Sequence, residues 1–173
     1  MNRAGYTGRL DRTTGLYAQP LLETLLHHEI LRAQRYPISL ALLRMAVSLP
    51  GNPDPKKIDT ASVAVAQILN TSLRVADVPG HYGRDFLIIL PVTDETGGLK
   101  VANRLIKLVS AEHPTPDGDK IELNACIGLS GMPEGTAIPP DTFLLQATVA
   151  LAEAQKRGPR SVVRFSEIAD TIP

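Results

Sequence analysis

Helical and extended apolar patterns alternate along this chain in an order that few folds can accommodate. From Pro20 to Tyr36, leucines fall at 21, 22, 25, 26 and 31 with charges between them, the spacing of a helix with one apolar side. Pro37 stops that pattern, and the apolar run Ile38–Val47 follows as a buried strand. Residues 49–57 (LPGNPDPKK) hold three prolines and one glycine and read as a loop. Asp59 or Thr60 then caps a second helix whose inner face is Val63, Ala66, Ile68, Leu69 and Leu73. A short strand near Asp77, a tight turn over His81–Asp85 and the strand Phe86–Leu90 make a hairpin whose turn is not a simple Asn-Gly type. Asp94 caps a third helix with Leu99, Val101, Ala102, Leu105, Ile106 and Val109 inward. Ile121–Gly131 alternates as a strand, Pro140 and Asp141 open a fourth helix that reaches about Arg157, and Ser161–Phe165 closes as a strand. The order α-β-α-β-β-α-β-α-β predicts an α/β (α+β) domain over residues 11–167, with helices flanking a mixed or antiparallel sheet of about five strands. Residues 1–10 read as a flexible lead-in and 168–173 as a C-terminal tail.

Composition narrows the class of function. The 173 residues suit one hydrophobic core. Eighteen basic residues balance eighteen acidic ones, so no global field recruits a nucleic-acid polymer or an anionic membrane, and any anion site must be local. The runs Ile38–Leu43 and Phe86–Val92 are far too short to span a bilayer, and the N-terminal residues lack the apolar core of a secretory signal. Cys126 is the single cysteine, with neither a disulfide partner nor metal-site spacing; it reads as a small core residue in a reducing cytoplasm.

Seven fragments, in order and along nearly the whole chain, resemble the GGDEF (diguanylate cyclase) family. They are Asp11–Tyr17 with Thr14, Gly15 and Leu16; Glu29 with Arg32–Arg35; Pro37–Leu40; Asp59–Asp77 without a gap; Phe86–Pro91 with Asp94; Ile127-Gly128; and Ala150-Leu151 with Ala154 and Gly158. The resemblance implies a GGDEF-type nucleotide cyclase palm fold. In that family, carboxylates hold divalent metals that neutralise charge on the reacting phosphates of two GTP molecules. Here the first metal motif aligns with Arg44-Met45-Ala46, and the lysine expected after it falls at Leu49. The signature turn reads Tyr82-Gly83-Arg84-Asp85-Phe86, one residue short in its approach from Asp77, with one glycine and one acid left. The phosphate-contacting positions of the last helix read Gln155 and Pro159, with Lys156 and Arg160 one residue later. What the resemblance implies is therefore a degenerate domain without cyclase activity, metal or cofactor.

The same resemblance points to a ligand. Arg74-Val75-Ala76-Asp77 is an R-x-x-D tetrapeptide, placed where the family binds its product cyclic di-GMP as an inhibitor. An arginine fork donates to guanine O6 and N7 while its plane stacks on a base, and an aspartate accepts from the guanine N1–H and N2–H. The arginine that completes the family's site aligns with Arg104, and Lys100 lies one helical turn earlier on the same side. The implied function is a cyclic di-GMP receptor in bacterial signalling, built on Arg74, Asp77, Lys100 and Arg104. Several alternatives stand beside it. Arg74 and Asp77 pair at a helix end while Lys100 and Arg104 are a solvated face, and the domain serves contacts with a protein partner or a second copy. Asn52 and Asp59 read guanine in a GTP-sensing site, or are a turn residue and a cap. Arg44 and Arg84 together form an anion pocket. His27-His28 point about 100° apart and make no bidentate metal site, and Ser130 and Ser161 lack the partners of a hydrolase nucleophile.

Overall fold

The computed structural model describes residues 10–118 and 120–171. Its centre is β1 (Leu40–Ser48), whose first four residues are buried because strands flank it on both edges and helices cover both faces. The other strands are β2 (Val78–Tyr82), β3 (Asp85–Pro91), β4 (Asn124–Met132) and β5 (Val162–Arg164), in the order β2-β3-β1-β4-β5. Only β4 and β5 run parallel; every other neighbouring pair is antiparallel. The expected mixed five-strand α+β sheet flanked by helices is the observed one.

Helices α2 (Pro55–Ser72) and α3 (Glu95–Ala111) cover one face, burying Val65, Leu69, Leu105 and Val109 against Leu43, Met45, Ile88 and Ile127. On the other face α1 (Gln19–Arg35) and α4 (Pro140–Arg157) pack Leu22, Leu26, Ile30 and Phe143 on Leu40, Leu42, Leu87 and Ile89. Each such side chain, taken fully from water, contributes about 1.5–3 kcal/mol. A third cluster joins Cys126, Ala150, Leu151, Ala154 and Val163 to Ile168, and Cys126 is the small buried residue the sequence suggested. None of the described helices is long and apolar enough to cross a membrane.

Three boundaries differ from the sequence reading. Helix α2 starts at Pro55, capped by Asp54, whose Oδ1 accepts from the Lys57 amide at 2.9 Å. Proline at the first helical position needs no hydrogen bond there, so Pro55 opens the helix that its presence suggested was still loop. Asp59 and Thr60 consequently lie inside α2 and cap nothing. Strand β4 begins only at Asn124, although Ile121 and Leu123 before it are buried. The C-terminal segment turns into α5 (Phe165–Ile168) and a 3-10 turn, Ala169–Thr171, because buried Ile168 anchors it to α4 and β5. The lead-in assigned to residues 1–10 falls outside the described residues except for Leu10, which bridges Tyr17.

The segment from Leu10 to Tyr17 is tied down rather than loose. Tyr17 forms a parallel bridge with Gly80 on the outer edge of β2. Asp11 Oδ1 accepts from the Thr14 amide and hydroxyl at 2.8 Å each, and these bonds hold its carboxyl below the ordinary aspartate range. Because the Thr14 hydrogen goes to Asp11, the His81 Nε2 atom 2.7 Å from Thr14 Oγ1 is the donor in that contact. This strap sets the start of α1 beside the β2–β3 turn.

Candidate functional site

The signature hairpin closes with two residues, Gly83 and Arg84, between paired Tyr82 and Asp85. Gly83 has φ +59° and Arg84 does not enter the left-handed region, the pattern of a II′ turn led by glycine. The Gly83 N–H donates to Gln19 Oε1 at 2.9 Å, so the amide that a glycine cradle would turn toward a phosphate is taken up by α1. Arg84 is exposed at the tip, and Phe86 is buried.

Behind the turn lies a polar cluster assembled from three elements. Arg44 of β1 donates from Nε to Asp85 Oδ2 at 3.0 Å, and its Nη2 lies 3.0 Å from the same oxygen. Its Nη1 donates to Thr148 Oγ1 of α4 at 2.8 Å, and the guanidinium carbon lies 4.9 Å from the Tyr82 ring centroid. Side-chain exposure is 20% for Arg44 and 22% for Asp85, shielded enough for the two charges to cancel locally. Arg44 and Arg84 therefore do not combine as an anion pocket: the charge of Arg44 is spent on Asp85, and Arg84 points out at the tip. The cavity beside the end of β1, of about 450 Å³, is lined by Ala46, Ser48, Asn124, Cys126, Gln155 and Pro159 among others, and no charged residue among those described lines it. Among the described residues no group of three or more histidine, cysteine or acidic side chains could hold a metal ion. His27 and His28 are both exposed on α1.

A second place gathers charge. After α2 ends, Arg74–Asp77 closes into a turn in which the Asp77 amide donates to the Arg74 carbonyl at 3.0 Å and Asp77 Oδ2 accepts from the Arg74 amide at 2.9 Å. The same carboxylate accepts from Arg74 Nε at 3.4 Å and Nη2 at 3.2 Å. Nη2 also donates to Thr93 Oγ1 at 2.7 Å, and Thr93 passes its own hydrogen to the Pro91 carbonyl. The Asp77 side chain is fully enclosed, whereas 59% of the Arg74 side chain is exposed. One edge of the guanidinium is fixed, and its Nη1 has no partner among the described residues.

Arg74 and Arg104 line one cavity of about 510 Å³ together with Val92, Asp94, Val101 and Glu134. Arg104 Nη2 is steadied by the Ser72 carbonyl at 2.9 Å. Gly97, Val101 and Arg104 are the stripe of α3 facing the cavity; Lys100, one step round the helix from Val101, is exposed and lies outside the lining. Val92 adopts φ +51°, unusual for a β-branched residue, and stands 60% exposed at the cavity wall. Arg74 and Arg104 are thus brought together, Asp77 is held behind Arg74, and Lys100 is set aside. Asn52 and Asp59 are not brought together: Asn52 lines a cavity with Lys57 and Lys120, Asp59 another with Gln67 and Glu112.

Sequence reasoning missed four participants: Gln19, Thr93, Thr148 and Glu134. Thr93 stands next to a recognisable cap, Asp94, but a threonine there carries no sign of an arginine 19 residues earlier. Gln19 and Thr148 act across 64 and 104 residues of chain, Glu134 joins the cavity lining from a separate turn, and no periodicity marks such placements.

Comparison with known proteins agrees with this fold. The solved diguanylate cyclase SiaD from Pseudomonas aeruginosa, in complex with its activator SiaC, matches at 23% identity and TM-score 0.79 over 93% of this chain. The match spans 64% of the SiaD chain. The FimX GGDEF domain from Pseudomonas aeruginosa matches at 17% identity and TM-score 0.79, covering 90% of this chain and 98% of that one. The GGDEF domain of DgcB from Caulobacter crescentus, in complex with c-di-GMP, matches at 15% identity and TM-score 0.76, covering 91% and 93%. At these identities the likeness is one of fold. No curated protein sequence matches the chain. The family model described as diguanylate cyclase, GGDEF domain, matches residues 58–161, well over half the chain, and this chain belongs to the GGDEF domain family.

Proposed function

We propose that this GGDEF domain does not make cyclic di-GMP but binds it, as a signalling receptor. The observation that carries the reading is the convergence of Arg74 and Arg104 on one cavity, with Asp77 enclosed behind Arg74 and orienting it. A cyclic dinucleotide offers two guanine edges and two phosphates. The free Nη1 and exposed plane of Arg74 suit a guanine O6/N7 edge or a stacked base, and Arg104 suits the second base or a phosphate. The solved c-di-GMP complex of the similar DgcB domain supports the ligand class. Lack of catalysis is supported by Arg44, which stands where the family has a metal-binding carboxylate and pairs with Asp85, and by the uncharged lining of the cavity beside it. The same reading places the chain in a reducing cytoplasm, where the Cys126 thiol stays free.

Calorimetric titration with cyclic di-GMP is the decisive test. Binding is expected for the unaltered protein, and Arg74→Ala or Arg104→Ala should weaken it about 10- to 100-fold, the worth of a charge-assisted hydrogen bond. Asp77→Ala should weaken it less, because it frees Arg74 rather than removing it. No binding heat at high micromolar ligand would sink the receptor reading. Separately, incubation with GTP and magnesium or manganese should yield no cyclic di-GMP, and any accumulation would overturn the loss of catalysis.

A further inference from the structure

We infer that Glu134 is the carboxylate by which this cavity selects guanine over adenine. The inference rests on the cyclic di-GMP reading of the Arg74–Arg104 cavity and deepens it. A guanine edge presents acceptors at O6 and N7 and donors at N1 and N2, so a site that recognises it needs an anion beside its cations. Asp77 does not line this cavity: its side chain is enclosed, both its oxygens accept from Arg74, and it borders a separate cavity behind that arginine. Among the described residues two carboxylates line the cavity, Asp94 and Glu134. Asp94 Oδ1 already accepts from the Gly97 amide as the cap of α3, at 2.7 Å. Glu134 makes no ion pair and accepts no hydrogen bond among the described residues.

Its position is nevertheless built. The chain leaves β4 at Met132 and turns through Pro133–Thr136, closed by the Thr136 amide and hydroxyl donating to the Pro133 carbonyl at 3.2 and 2.7 Å. Gly135 takes φ +73°, which puts Glu134 at the first central position of a type II turn. A short turn of this kind fixes the backbone from which Glu134 joins the lining that Arg104 and the α3 stripe also form. An unpaired carboxylate beside two arginines would accept from guanine N1–H and N2–H. With an adenine held in the same register by the arginine, the carboxylate would face the N1 lone pair and the C2–H, and the N6 amino donor would be turned to the cation instead.

The sign of one measurement decides the matter. Cyclic di-GMP carries two negative phosphates, so a carboxylate that merely stood nearby would oppose binding, and removing it would tighten the complex. If Glu134 reads the base, Glu134→Ala should weaken cyclic di-GMP binding about tenfold and Glu134→Gln should shift it the same way by less. Cyclic di-AMP, titrated in parallel, should bind the unaltered protein at least about tenfold more weakly, a gap that Glu134→Ala should largely close. Thermal melting of both variants should match the unaltered protein, since the side chain is exposed and unpaired. Tighter or unchanged cyclic di-GMP binding in Glu134→Ala, with Arg74→Ala still impaired, overturns this inference and leaves the receptor reading standing. Failure of the unaltered protein to bind cyclic di-GMP overturns both.

Discussion

Gly128→Ala is expected to remove a large part of the domain's folding stability and to lower its denaturant midpoint sharply. A Cβ at this position in β4 would lie 2.2 Å from the Ala147 carbonyl oxygen and 2.2 Å from the Leu151 amide nitrogen, with the Ala150 carbonyl carbon at 2.8 Å. All three are backbone atoms of α4, so no side-chain rotation relieves the overlap. The helix must move bodily, and it carries Phe143, Ala147, Ala150, Leu151 and Ala154, which are buried in two of the three core clusters. Overpacking a core costs about 1–3 kcal/mol where side chains can yield. Here the obstacle is main chain, and a loss of about 3 kcal/mol or more is expected against a usual total of about 5–15 kcal/mol. Denaturant melts of the two proteins measure it, and an unchanged midpoint would mean that α4 does not lie on β4 as described.

That contact also shows what the sequence discloses and what it withholds. Ile127-Gly128 was readable as a fragment of a family pattern, but a glycine in a strand says nothing of which backbone approaches it. The strands and helices were readable because their periodicity reflects burial on one or two faces, as in β1 and α3. The start of α2 was misread because proline has two meanings, breaker within a helix and good opener at its first position. The site divides along the same line. Arg74, Asp77 and Arg104 were visible because helix ends and a family register place them. That Asp77 faces inward was not, since enclosure depends on Thr93 and on the turn that wraps the carboxylate around its own arginine. Glu134 was invisible for a related reason: it joins the cavity lining from the turn after β4 and belongs to no motif.

Arg44→Asp should destabilise the domain by about 2 kcal/mol and make its stability respond to divalent metal. In the unaltered protein the guanidinium bridges Asp85, Thr148 and the face of Tyr82. Removing one partner of a shielded ion pair leaves the other charge partly desolvated; for fully buried pairs the penalty is about 3–5 kcal/mol, and the one-fifth exposure here reduces it. Aspartate adds repulsion, because β1 and β3 are neighbours and both carboxylates then face the same space. Two carboxylates with a hydroxyl close by are also ligands that a hard divalent cation accepts. Millimolar manganese is therefore expected to raise the melting temperature of Arg44→Asp and to leave the unaltered protein and Arg44→Ala unmoved. That contrast separates the two roles of the position. Arg44→Ala reports only the lost pair, whereas Arg44→Asp asks whether the arginine occupies the space of a cation. If manganese moves all three proteins alike, or none, Arg44 is an ordinary structural partner of Asp85 rather than the internal substitute for a metal ion.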